Sequence, residues 1–138
     1  MRKLLLSIFL FSAIYMNAED GTTILKGKEA SYKITNSELV RMKDFTSIPN
    51  YIKFKKGKEL PLDQLNNWLQ HYFKSNEKLG LKLLREETDE LGYTHYRYQQ
   101  TVNDIPVRFG IYLVHAKNGL IESVNGELLD NINNSTIT

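Results

Sequence analysis

The sequence predicts an α+β domain: one amphipathic helix packed on a small antiparallel sheet made of consecutive hairpins. Three observations carry this. "LPLDQLNNWLQHYF" repeats apolar side chains at three- and four-residue intervals. After Gly80 the period changes and the chain reads as extended almost to its end, with runs of alternating side chains. Asn103-Asp104 and Asn118-Gly119 punctuate those runs as two-residue hairpin turns, where Asn, Asp and Gly tolerate positive φ.

The first residues are set apart from the fold. "MRKLLLSIFLFSAIYMNAED" places Arg2 and Lys3 before an apolar stretch from Leu4 to Met16, with Asn17-Ala18 at its end. This is the layout of a secretory signal peptide over residues 1–18, too short to span a hydrocarbon core of about 30 Å. The expected location is secreted or extracytoplasmic, with no stable membrane insertion after cleavage. Of 138 residues, 18 are basic and 16 acidic, and both basic residues of the first 18 leave with the signal. The formal neutrality of the remainder argues against a nucleic-acid partner, whose binding rests on phosphate neutralisation. With no cysteine in the chain, the domain has neither a thiol nucleophile nor a Cys-based metal site, and depends on burial alone for stability.

Residues 19–130 form the expected domain and 131–138 a polar tail or the start of a linker. "TTILKG" and "ASYKIT" read as short strands. In "SIPNYIKFKKGKEL", Ile52 and Phe54 alternate with Tyr51, Lys53 and Lys55, as in a half-buried strand ending at Gly57, and "KFKKGK" reads as a solvated turn. The helix starts near Pro61 and carries Leu62, Leu65, Leu69, Tyr72 and Phe73 on one stripe, with Gly80 expected as its stop. Trp68 flanks the stripe as a core or interface residue, and His71 lies at its edge.

The two turns, taken literally, set a register. Val102 faces Ile105, Gln100 faces Val107, Tyr98 faces Phe109 and Tyr96 faces Ile111, while Leu113 faces Val124 and His115 faces Glu122. One sheet face then collects Tyr96, Tyr98, Val102, Ile105, Val107, Phe109, Ile111, Leu113 and Val124, the surface on which the helix is expected. The other carries His95, Arg97, Gln99, Arg108 and Tyr112. Gly126 comes opposite Ile111, where a strand glycine permits a bulge or close packing.

The polar groups point away from catalysis. Gln100, on the apolar face, needs partners, since an unsatisfied buried amide costs about 1–3 kcal/mol. An internal tie, an inter-domain hydrogen bond and ligand recognition all meet that need. His115 and Glu122 resemble a base with its orienting carboxylate, but no nucleophile is placed beside them, and a structural pair is the preferred reading. His71, His95 and His115 lie in three different elements without a His-Glu-x-x-His arrangement, so no metal site or cofactor is expected. Glu86-Glu87 and Asp89-Glu90 read as a solubilising turn before Gly92.

"GYTHYRYQQTVNDIPVRFGIYLVHAKNGLIESVNGEL", Gly92 to Leu128, resembles the fungalysin/thermolysin-type propeptide (FTP) domain of secreted zinc metalloproteases. "THYRYQQ", "IPVRFG", "LVHAKNG" and "SVNG" are the matching pieces, in order, although the family often has Gly where this chain has Asp104. Gln100, Pro106, Val107, His115, Gly119, Asn125 and Gly126 fall on recurring family positions that have no catalytic duty. The resemblance implies a non-catalytic pro-domain that assists folding and holds a thermolysin-like protease domain inactive, in cis or in trans, alongside a second pro-subdomain. Trp68 and Phe109 join these residues as expected structural or interface positions. A secreted protein-binding module unrelated to a protease is the alternative.

Overall fold

The computed structural model describes residues 21–73 and 78–130. The expected signal peptide and polar tail lie outside the described residues. Strands β1 (Thr22–Lys26), β2 (Ser37–Lys43), β3 (Tyr51–Phe54), β4 (Leu60–Pro61), β5 (Leu79–Thr88), β6 (Tyr93–Val102), β7 (Ile105–Lys117) and β8 (Leu120–Glu127) form one open antiparallel sheet. Its order is β1-β2-β3-β8-β7-β6-β5, with β4 paired to β8 off that path. Two short helices, α1 (Gly27–Lys33) and α2 (Leu65–Tyr72), complete it, a 3-10 turn at Leu62–Gln64 leading into α2. The described residues are thus mostly sheet.

The first half departs from expectation. "ASYKIT" lies in and just after α1 rather than in a strand, because Ala30 and Ile34, four residues apart, are both buried; that spacing suits one face of a helix. Gly27, at φ 56°, turns the chain out of β1 into this helix. β3 has the expected alternation, with Ile52 and Phe54 buried, and Lys55–Lys58 close a turn through Lys58 N–H to Lys55 C=O. The second helix ends at Tyr72; Gly80 is no helix stop but the second residue of β5, and the expected continuation over 74–77 lies outside the described residues.

Both tight turns form: Asn103 (φ 49°), Asp104 (φ 66°), Asn118 (φ 52°) and Gly119 (φ 74°) all have positive φ. The register they start is then broken twice. Val102 pairs with Ile105 and Thr101 with Pro106, but Gln99 pairs with Ile111, so Val107, Arg108, Phe109 and Gly110 together stand opposite Gln100 alone. In the next hairpin Ala116 pairs with Ile121 and His115 with Ser123, leaving Glu122 as the extra residue. Each interruption inserts an odd number of residues, and an odd shift exchanges faces in a period of two.

The core face is corrected accordingly. Tyr112, expected on the polar face, is fully buried beside Val114, Ala116, Ile121 and Val124, and it pairs with Tyr98. Ile111 and Leu113 move to the opposite face with His95, Arg97, Gln99 and Asn125. Phe109 is 76% exposed and Ile105 is exposed as well. Leu65, Trp68, Leu69 and Phe73 share one buried cluster with the corrected sheet face. Glu86 and Glu87 belong to β5 rather than to a turn.

Candidate interaction site

The bulge in β7 is a built feature. Phe109 takes φ 64°, which turns the backbone out of the extended path. That removes carbonyls from the ladder, and the Gln99 side-chain amide donates to Val107 C=O and to Gly110 C=O in their place. Gly110 lies against Gln100, where an added Cβ would sit 2.6 Å from Gln100 Oε1. Gln100 is fully buried, and its amide accepts from Leu129 N–H and donates to Leu129 C=O, both at 2.9 Å. The two adjacent glutamines therefore have separate jobs: Gln99 closes the bulge, and Gln100 fastens the chain after β8 beneath it. On the raised segment, the Arg108 guanidinium stacks 5.0 Å from the Phe109 ring.

On the same side of the sheet as Gln99, a row of polar side chains crosses three strands. His95 Nε2 donates to Asp89 Oδ2 at 2.8 Å, the two histidines meet through Nδ1 at 2.7 Å, and His115 Nε2 lies 2.6 Å from Asn125 Oδ1. Three proton arrangements satisfy all three links. With His115 donating to Asn125, one of the two rings is an imidazolium, either His95 donating from both its nitrogens or His115 donating from both of its own. With the Asn125 amide turned to donate, both rings are neutral. Two imidazoliums do not fit, since N–H would face N–H. The hydrogen bond from His95, followed by backbone N–H groups of Tyr93 and Leu91, holds the Asp89 carboxyl below the usual carboxylate range.

This geometry corrects the expected His115–Glu122 pair and brings His95 and His115 together from their different elements. Glu122 instead meets Tyr93, whose phenol it raises through a hydrogen bond. Both nitrogens of both rings are engaged within the row, so neither histidine has a nitrogen free to activate a nucleophile. Among the described residues no group of three or more His, Cys, Asp and Glu side chains is arranged to hold a metal ion.

The other sequence-selected residues are structural in position. Trp68 is buried, edge-on to Phe54 and Phe73. Val107 is buried, and Pro106 stands exposed opposite Thr101. Gly119 closes its turn. Gly126, opposite Tyr112 rather than Ile111, has φ 136°, and an added Cβ would lie 2.2 Å from Ile111 C=O. Sequence reasoning missed the partnership of Asp89 and His95; the Asp89 side chain also accepts from Leu91 N–H and Tyr93 N–H, and an Asp three residues before Gly92 was the available turn signal. A groove of about 610 Å³ between α2 and β5 is lined by Asn66, Gln70, Lys78, Lys82, Thr101 and Asp104 among others. On that rim Lys78, just before β5, and Asp104, in the β6–β7 turn, form an ion pair at 3.7 Å.

Residues 80–128 match the family model described as Fungalysin/Thermolysin Propeptide Motif. The chain is similar to bacillolysin of Bacillus amyloliquefaciens, 38% identical over 65 residues that make up 46% of this chain and 12% of that protein. It is also similar to thermolysin of Alicyclobacillus acidocaldarius subsp. acidocaldarius, 33% identical over 89 residues, 59% of this chain and 16% of the relative. With bacillolysin of Bacillus subtilis (strain 168) it shares 42% identity over 57 residues, 41% of this chain and 11% of the relative. The chain therefore spans only a small part of the length of these curated relatives. No solved structure matches.

Proposed function

We propose, from the fungalysin/thermolysin propeptide motif that this chain carries over residues 80–128, that it is a non-catalytic pro-domain of a secreted thermolysin-like zinc metalloprotease. It acts as an intramolecular chaperone and inhibitor, after a signal peptide over residues 1–18 has directed export. The observation that carries the reading is the coincidence of the motif with a structural unit. Its limits, Gly80 and Leu128, bracket the antiparallel meander β5-β6-β7-β8 almost end to end. That meander holds both glutamine contacts and the His95–His115 row, and neither histidine is free for catalysis.

Such a role needs surface complementarity rather than reactive groups. Covalent attachment to the protease raises the effective concentration to the millimolar range for short linkers, so a weak contact in cis suffices. Supplied separately, the chain binds its protease weakly and aids refolding only together with the second pro-subdomain. The test is the refolding yield and residual activity of a denatured thermolysin-like protease, with and without this chain and that subdomain. A higher yield with both present and reversible inhibition are expected. Unchanged yield and unchanged activity in every combination would sink the reading and leave a protein-binding module unrelated to proteases.

A further inference from the structure

Packing does not account for Phe109. An L-residue with a bulky side chain rarely occupies φ near 64°, and glycine would do so without strain. The ring is 76% exposed, so the strained backbone is not offset by burial. The segment is nevertheless braced from both sides of the sheet, by Gln99 on its carbonyls and by Gln100 against Gly110. The Arg108 guanidinium lies against the ring and orders it in advance.

We propose that Arg108 and Phe109 form a docking knuckle for the mature protease domain, the phenyl ring entering an apolar pocket whose rim carries a carboxylate. The partner's chemistry follows from what the knuckle lacks. Arg108, like most cations of the described residues, has no acidic partner, and of the cations set over an aromatic ring, Arg41 on Tyr51, Arg108 on Phe109 and Lys117 on Tyr93, it alone lies on an exposed ring. An exposed aromatic ring with an adjacent unpaired arginine, held by a rigid backbone, matches the residue types that dominate binding energy at interfaces, and pre-ordering lowers the entropy lost on docking. Phe45 shares the exposure and a φ of 63°, but it lies in the turn after β2 without a stacked guanidinium, and it provides an internal control.

This inference rests on the pro-domain reading. The test titrates mature bacillolysin of Bacillus subtilis against the purified chain and its variants by calorimetry, with circular dichroism confirming that each variant is folded. Phe109→Ala and Arg108→Glu are expected to weaken binding about tenfold or more, as loss of an anchor does, while Phe45→Ala leaves it unchanged. Phe109→Gly is expected to weaken binding to the same degree while raising the thermal midpoint, a combination that loss of folding cannot produce. Equal affinity of Phe109→Ala and the parent chain overturns the knuckle and leaves the pro-domain role standing. No heat of binding for the parent chain at about 1 mM, where even a weak complex is populated, overturns both.

Discussion

The two sides of the sheet are joined by different rules. β5 to β8 follow one another in the chain, and each pairs with its sequence neighbour through a turn. β1 to β3 reach the same sheet only through β3 against β8, where Tyr51 meets Asn125 and Ile52 meets Val124 across most of the chain. Short-range pairing is specified by turn chemistry. The long-range seam is specified by side chains that fit only once both halves are present, and its loop-closure entropy is offset late.

The seam is the place to break the comparison, and Gly126 is its most demanding residue. Gly126 N–H donates to Asn50 C=O at 3.0 Å, and the space a Cβ needs is filled by Ile111 C=O. Gly126→Ala is expected to cost more than about 4 kcal/mol, the mark of backbone strain combined with a clash. For a small domain that is most of the total stability. Urea unfolding followed by circular dichroism measures it, and a midpoint near that of the parent would mean that β8 does not run against β7 and β3 as described.

Ile52→Ala asks whether the halves are one cooperative unit. Ile52 is fully buried between Val40 and Val124, so its truncation should cost about 2–5 kcal/mol. Loss of β5–β8 structure in the same single transition is expected. Two transitions, the earlier confined to the first half, would make the meander an independent domain.

How much of this was legible follows from the same contrast. The turns at Asn103-Asp104 and Asn118-Gly119 were readable because their conformations are local properties of Asn, Asp and Gly. The pairs next to them, Val102 with Ile105, were correct for the same reason. Beyond the bulges every pair was displaced, because a bulge depends on contacts such as Gln99 to the Val107 carbonyl that no alternation pattern contains. The buried state of Gln100 was legible from its apolar neighbours, but its partner Leu129 was not, being set by where the chain runs after β8. α1 was misread since Tyr, Lys, Ile and Thr alternate like a strand, and only the packing of Ala30 and Ile34 selects the helix. The His95–His115 contact required the corrected register.

Acid sharpens the comparison within the meander. A carboxyl held below its ordinary value in the fold contributes stability above its unfolded pKa of about 3.9, and loses it as pH falls through the lower folded value. Asp89 has such a shift, from His95 and then from backbone N–H groups of its turn. The parent chain should therefore lose stability below about pH 4 partly at the β5–β6 turn, and Asp89→Asn should lose less over the same interval while being less stable at neutral pH. Urea midpoints at about pH 3 and pH 7 for both proteins test this. Parallel pH profiles would show that the Asp89–His95 contact contributes nothing to folding.

The smallest effect discriminates most finely between the two accounts of β7. If β7 alternated without interruption from its turn, Phe109 would face the core, and its truncation would cost about 3–5 kcal/mol. In the observed bulge the ring is exposed and the residue is left-handed. Phe109→Ala should then change stability by no more than about 0.5 kcal/mol, as for an ordinary surface site. Phe109→Gly removes a left-handed penalty of about 1–2 kcal/mol. It also adds unfolded-state freedom worth about 0.5–1 kcal/mol, so a net gain of up to about 1.5 kcal/mol is expected. Thermal and urea unfolding of the two variants beside the parent resolve the sign. Destabilisation of both by several kcal/mol would bury the ring, restore uninterrupted alternation and remove the bulge; a gain for glycine with a near-neutral alanine fits only a β7 that leaves the extended path at residue 109.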